Sequence, residues 1–113
     1  MSAMPKRLIL DVADLSILYA AYMPFLARGG LFVVTNKPFD LGDHVTLEAS
    51  IIDWPKQILE GQIAWITPPR AGTHRPQGVG VHFPDTPDAQ KLRGDIEAAL
   101  GELLRSPRRT YTM

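Results

Sequence analysis

The chain has 113 residues, 45% of them apolar, with twelve basic residues balancing twelve acidic ones and no cysteine. That length supports one domain with a modest hydrophobic core, and the composition is that of a globular chain, not a disordered one. The charge balance argues against a general binder of nucleic acid or anionic membranes, and the lack of cysteine removes disulfides, thiolate metal sites and a cysteine nucleophile.

The first residues, Met1-Ser2-Ala3-Met4-Pro5-Lys6-Arg7, carry charge, but no apolar stretch of signal-peptide length follows, since Asp11 and Asp14 interrupt the run after Leu8-Ile9-Leu10. No uncharged window approaches the ~20 residues of a membrane span, and a reducing cytoplasm is the expected location. The run Tyr22-Met23-Pro24-Phe25 comes next, followed by Gly29-Gly30 and the apolar Leu31-Phe32-Val33-Val34. A glycine pair opening a strand points to a tight reversal or a close backbone approach. Pro24 interrupts any ladder between its neighbours, so Tyr22, Met23 and Phe25 cannot all enter one small core. They are expected to form a surface patch that a partner covers.

Residues 43–52 alternate Val45, Leu47, Ala49 and Ile51 with His44, Thr46, Glu48 and Ser50, the period of a half-buried strand. Asp53-Trp54-Pro55-Lys56 breaks the pattern, and residues 57–67 form a second extended run, so the two read as an antiparallel hairpin. Pro68-Pro69 ends it. Trp65 shares the parity of Ile63 and Gly61, which leaves open whether it covers the barrel or protrudes. A loop over 70–76 leads to Gln77-Gly78-Val79-Gly80-Val81-His82-Phe83, where the glycines at one parity require a ring or another backbone to cross closely. With residues 31–35 and material before Tyr22, five or six short strands result, and a small antiparallel β-barrel fits them.

One helix is predicted. Thr86 caps it, Pro87 takes the first helical position, and Asp88 suits the positive end of the dipole. Leu92, Ile96, Ala99, Leu100 and Leu103 form the buried stripe, while Gly94 and Gly101 weaken the helix by roughly 1 kcal/mol each relative to alanine. The predicted domain spans 1–105, and 106–113 reads as a flexible polar tail.

No catalytic constellation emerges. His44, His74 and His82 fall in different elements without metal-ligand spacing to a carboxylate, and the alternation places His44 and His82 on the solvent side. Ser16 and Ser50 have no His-Asp context, no Gly-x-Ser-x-Gly elbow occurs, and Gly78-Val79-Gly80 is too short for a dinucleotide fingerprint. The expectation is a mainly β binding module, not an enzyme, with no cofactor and no metal.

Tyr22-Met-Pro-Phe25, Gly29-Gly-Leu-Phe-Val33, Ala64-Trp-Ile-Thr-Pro68, Gln77-Gly-Val-Gly-Val-His-Phe83 and Thr110-Tyr-Thr-Met113, in this order and spacing, resemble the PilZ domain family, and within it the stand-alone members that serve type IV pilus assembly. The resemblance implies a six-stranded barrel with a C-terminal helix. Most members of the family are receptors for cyclic di-GMP, with an Arg-x-x-x-Arg segment before the first strand and an Asp/Asn-x-Ser-x-x-Gly turn before the glycine-led strand. With Gly30 as the glycine of that turn, Phe25 stands at its acidic position and Ala27 at its serine position, and Lys6-Arg7 has Leu10 and Asp11 where the second arginine belongs. Each lost arginine removes a charge-assisted bond of about 1.5–3 kcal/mol. Loss of two or three removes roughly 3–9 kcal/mol, against about 8 kcal/mol for a micromolar ligand.

The resemblance therefore implies a non-catalytic adaptor that does not bind the dinucleotide. Its implied partners are a PilB-like pilus assembly ATPase and a FimX-like protein with a cyclic di-GMP-binding EAL domain. The expected contact residues are Tyr22, Met23, Phe25, Trp65, Thr110, Tyr111 and Met113. The alternative is a direct cyclic di-GMP receptor whose basic site has moved to Arg70 and Arg75.

Overall fold

The computed structural model describes residues 6–70, 75–105 and 110–112. Five strands and two helices follow in chain order: β1 (Lys6–Val12), α1 (Leu15–Ala21), β2 (Gly30–Val34), β3 (His44–Ile51), β4 (Gln57–Thr67), β5 (Gly78–His82) and α2 (Pro87–Leu100), which continues into a 3-10 turn over Gly101–Arg105. The strands form one curled half-barrel sheet in the order β1-β3-β4-β5-β2.

The mainly β architecture with a C-terminal helix is as expected from the sequence, with two refinements. The ladders β3–β4, β4–β5 and β2–β5 are antiparallel, but β1 runs parallel to β3, from Lys6 opposite Val45 to Val12 opposite Ile51. β1 is the strand expected before Tyr22, and the crossover between these parallel strands carries α1, a helix not expected from the sequence. Asp14 caps it, its carboxylate accepting from Ile17 N at 3.0 Å.

β3 buries Val45, Leu47, Ala49 and Ile51 as its alternation requires, and β4 occupies the full predicted range. α2 begins at the Thr86 cap, with Thr86 Oγ1 accepting from Ala89 N at 3.2 Å, and presents Ala89, Leu92, Ile96 and Leu100 to the concave face of the sheet. Leu31, Val33, Val79, Val81 and Phe83 meet that stripe in the main core. Among the described residues no helix is long and apolar enough to cross a membrane.

Candidate partner-binding site

Two layers of apolar side chains sandwich the β4–β5–β2 end of the sheet. Leu31 and Val33 point into the main core, whereas Phe32 and Met23 are buried on the opposite face. The glycines of β5 make that second layer possible. A Cβ on Gly78 would lie 2.7 Å from the Phe32 ring, and one on Gly80 would lie 2.5 Å from Met23 Sδ and 2.9 Å from Trp65 Cβ. The large groups expected to cross these glycines are thus Phe32 and Met23.

The ambiguity of Trp65 is resolved by a bulge. The β4–β5 register shifts between Ile63 and Trp65, so Ile63 pairs with Val81 whereas Trp65 pairs with Gly80. The extra residue, Ala64, turns Trp65 away from the face of Ile63 and onto the second layer. There its indole N–H donates to Thr67 Oγ1 at 2.7 Å, and its ring lies 5.5 Å from that of Phe25 at an interplanar angle of 59°. This is the tilted geometry that aromatic quadrupoles favour. Phe25 remains 43% exposed, and Trp65 is half-buried.

The expected exposure of Tyr22 and Met23 is corrected by the structure: they are 1% and 0% exposed. The physical reason is the reversal itself. Tyr22 bridges to Leu31 and enters the main core, Met23 turns to the opposite face while its N–H donates to Gly30 O at 2.9 Å, and Pro24 carries the chain out so that only Phe25 meets solvent. The three side chains do avoid sharing one core, but two of them are buried in separate layers of this same chain.

The loop bearing Phe25 is pinned from two sides. Arg28 N donates to His82 Nε2 at 3.1 Å, Arg28 Nε donates to Phe83 O at 3.0 Å, and Phe83 N donates to Gly29 O at 3.0 Å. From α2, Arg93 Nη1 donates to Ala27 O at 3.0 Å, while Glu97 Oε2 accepts from the Tyr22 hydroxyl at 2.5 Å. Burial, with the adjacent Glu97 carboxylate, pushes the Tyr22 phenol well above its ordinary value. Gly29 has φ +78°, and a Cβ there would stand 3.3 Å from both Arg93 Cδ and the Tyr22 hydroxyl. A glycine is required on both counts.

His82 is half-buried, a correction to its expected solvent position. Desolvation and the nearby Arg28 hold its imidazole below the usual histidine range, consistent with an Nε2 that accepts a hydrogen bond. His44 is exposed, as its strand parity requires.

The tail departs from the expected flexible, polar segment at 110–112. Tyr111 N donates to Ala20 O at 2.9 Å, the Tyr111 ring sits 5.7 Å from Phe32, and Thr112 is 1% exposed with no hydrogen-bond partner for its hydroxyl among the described residues. Thr110 is half-buried. Met113, and residues 71–74 between the exposed Arg70 and Arg75, lie outside the described residues. Phe32 is the site residue that sequence reasoning missed, although the glycine parity opposite it was the signal. No group of three or more potential metal ligands occurs among the described residues.

The surviving surface is thus the Phe25–Trp65 pair, backed by Met23 and Phe32 and flanked by Tyr111. It offers apolar contact area on a braced loop. No curated protein matches the chain. The PilZ domain model matches residues 4–102, through every strand and the whole of α2, and the chain belongs to the PilZ domain family, whose members are in general non-catalytic binding domains.

Proposed function

We propose that this PilZ domain is a non-catalytic adaptor in type IV pilus assembly that engages a PilB-like ATPase and a FimX-like EAL-domain protein, and that it does not itself bind cyclic di-GMP. One observation carries the reading. At the turn where receptor members of the family carry an acidic residue and a serine, this chain has Phe25, which rests on Trp65, and Ala27, whose carbonyl is engaged by Arg93. Neither side chain offers a hydrogen bond to a guanine edge. The same position instead presents an aromatic ring 43% open to solvent.

An aromatic pair held on a pinned loop has the character of an interface anchor, because little side-chain or loop freedom is lost when a partner covers it. Tyr111 extends the same layer. The test is titration of the purified protein against the isolated ATPase and the isolated EAL domain, the latter loaded with cyclic di-GMP. Saturable binding to either supports the adaptor reading, and absence of binding to both at ~100 μM, a Kd limit of about −5.5 kcal/mol, contradicts it.

A further inference from the structure

The half-barrel stops short of closure, and the outer edge of β1 faces the Val34 end of β2. β1 and β2 are the ends of the sheet order, and they approach without pairing. Residues 7–9 of β1, and Val33 and Val34 of β2 with the following Thr35, line opposite walls of a cleft of about 270 Å³. A second cleft of about 330 Å³, lined by Lys6, Arg7, Lys37, Pro38 and Phe39, adjoins it through the shared Arg7 and Lys37.

The ladder bonds fix which main-chain groups look into this seam. Val12 O accepts from Ile52 N at 2.7 Å, so the even residues of β1 bond to β3 and Arg7, Ile9 and Asp11 direct their N–H and C=O groups outward. On β2, Phe83 N donates to Gly29 O and Thr35 N to Gln77 O, so the odd residues bond to β5 and the even ones turn away. Gly30 already serves Met23 and Phe32 lies beside the Tyr22–Leu31 bridge, so along β2 it is Val34, at the cleft, that faces the seam.

The side chains set the chemistry of what would fill it. Ile9 and Val34 are 65% and 57% exposed on the convex side of these edges, while Leu8 and Val33 are buried on the concave side. Neither cleft is lined by an acidic residue, whereas Lys6, Arg7 and Lys37 all contribute. Arg7 is satisfied by Glu48 at 2.9 Å and Lys6 lies 3.9 Å from Asp43, but the Lys37 ammonium has no acidic partner among the described residues.

We infer that the seam between β1 and the Val34 end of β2 takes up an extended segment of another protein as a sixth strand, and that this segment alternates apolar residues, turned inward beside Leu8 and Val33, with acidic residues, turned outward toward Lys37. Admitting a strand requires the edges to part by roughly one strand spacing, ~4.8 Å. No ladder between β1 and β2 is broken by that movement, because none joins them. The added strand supplies main-chain partners to the β1 edge and to Val34 and neutralises the unpaired cation. This surface lies beyond the adaptor reading and is independent of which proteins meet Phe25 and Trp65.

The probe is an acetylated, amidated octapeptide of alternating glutamate and valine, with its lysine–valine counterpart as control, added to 15N-labelled full-length protein. Expected are saturable shifts at Arg7, Ile9, Asp11 and Val34, amide exchange at Ile9 slowed at least ~10-fold on saturation, and no such response to the lysine peptide. Lys37→Glu should weaken the acidic peptide by about 5-fold, the effect of an exposed ion pair near 1 kcal/mol. Ile9→Pro, which removes a donor facing the seam and leaves the β3 ladder untouched, should abolish the response while a retained 15N spectrum verifies the fold. The inference is overturned by no shifts at ~1 mM peptide, by shifts confined to other surfaces, or by equal response to both peptides. Concentration-dependent self-association through the same residues would also overturn it, by making a second copy the occupant.

Discussion

The Tyr22 hydroxyl donates to Glu97 Oε2 at 2.5 Å across 75 residues of sequence, joining the end of α1 to the last turn of α2. Arg93 Nε reaches the same carboxylate oxygen at 3.5 Å while its Nη1 holds Ala27 O. One side chain at the reversal therefore locks helix, core and the Phe25 loop together. Replacement of Tyr22 by alanine is expected to cost about 3–5 kcal/mol, as for other buried rings. Tyr22→Phe, which keeps the ring and orphans only the carboxylate contact, should cost about 1.5–3 kcal/mol. Urea denaturation of the two variants checks both values, and a Tyr22→Ala protein as stable as the parent would return Tyr22 to the surface.

Phe25 behaves oppositely. Its ring is 43% exposed and meets Trp65 along one edge of the second layer. Phe25→Ala should leave stability within ~1 kcal/mol, the loss of one partly exposed aromatic contact, and weaken partner binding by at least ~1–2 kcal/mol, the effect of removing an interface anchor. Parallel melting curves and partner titrations separate the two effects.

Two glycines give a contrast in sign. Gly80→Ala drives a methyl into Met23 Sδ and the Trp65 Cβ, so it should cost about 1–3 kcal/mol by overpacking. Gly94 lies within α2, where an added methyl would meet nothing within 4 Å, and Gly94→Ala should add about 1 kcal/mol through helix propensity. Differential scanning calorimetry of the two variants reads the opposite shifts directly.

His82 couples the Phe25 loop to pH. Its folded-state pKa is depressed by burial and by Arg28, and its Nε2 accepts from Arg28 N. The neutral form therefore stabilises the fold at pH above the unfolded value near 6.5, and that contribution is lost as pH falls from there through the folded pKa. Stability measured from pH 7.5 to 5 should decline below about 6.5. His82→Gln, which keeps an acceptor for Arg28 N and cannot titrate, should flatten that part of the profile.

The elements whose determinants are local are legible in the chain. β3 carries strict alternation, β4 is bounded by the Asp53-Trp54-Pro55-Lys56 break and Pro68-Pro69, and α2 announces itself through Thr86, Pro87 and an apolar stripe, so their limits fall close to those expected. α1 is not legible, because seven residues give barely two turns of periodicity and its cap, Asp14, reads in the sequence only as an interruption of an apolar run. The parallel β1–β3 pairing and the burial of Tyr22 depend on partners far along the chain, as does the docking of Tyr111 on Phe32. The bulge at Ala64 is a one-residue event that inverts the side of Trp65, and alternation read straight through it gives the wrong face. The alternating glycines Gly78 and Gly80, by contrast, give correct warning that large groups cross close to β5, whereas Pro24 shows only that its neighbours do not share one core.

The adaptor account rests on a PilZ domain that does not receive the dinucleotide itself. Calorimetric titration of the full-length protein with cyclic di-GMP, carried to ~1 mM to cover binding down to about −4 kcal/mol, tests this most directly. The account expects no saturable heat. Saturable micromolar binding would contradict it and would make the chain a direct receptor with its basic groups placed elsewhere, Arg70 and Arg75 first among them.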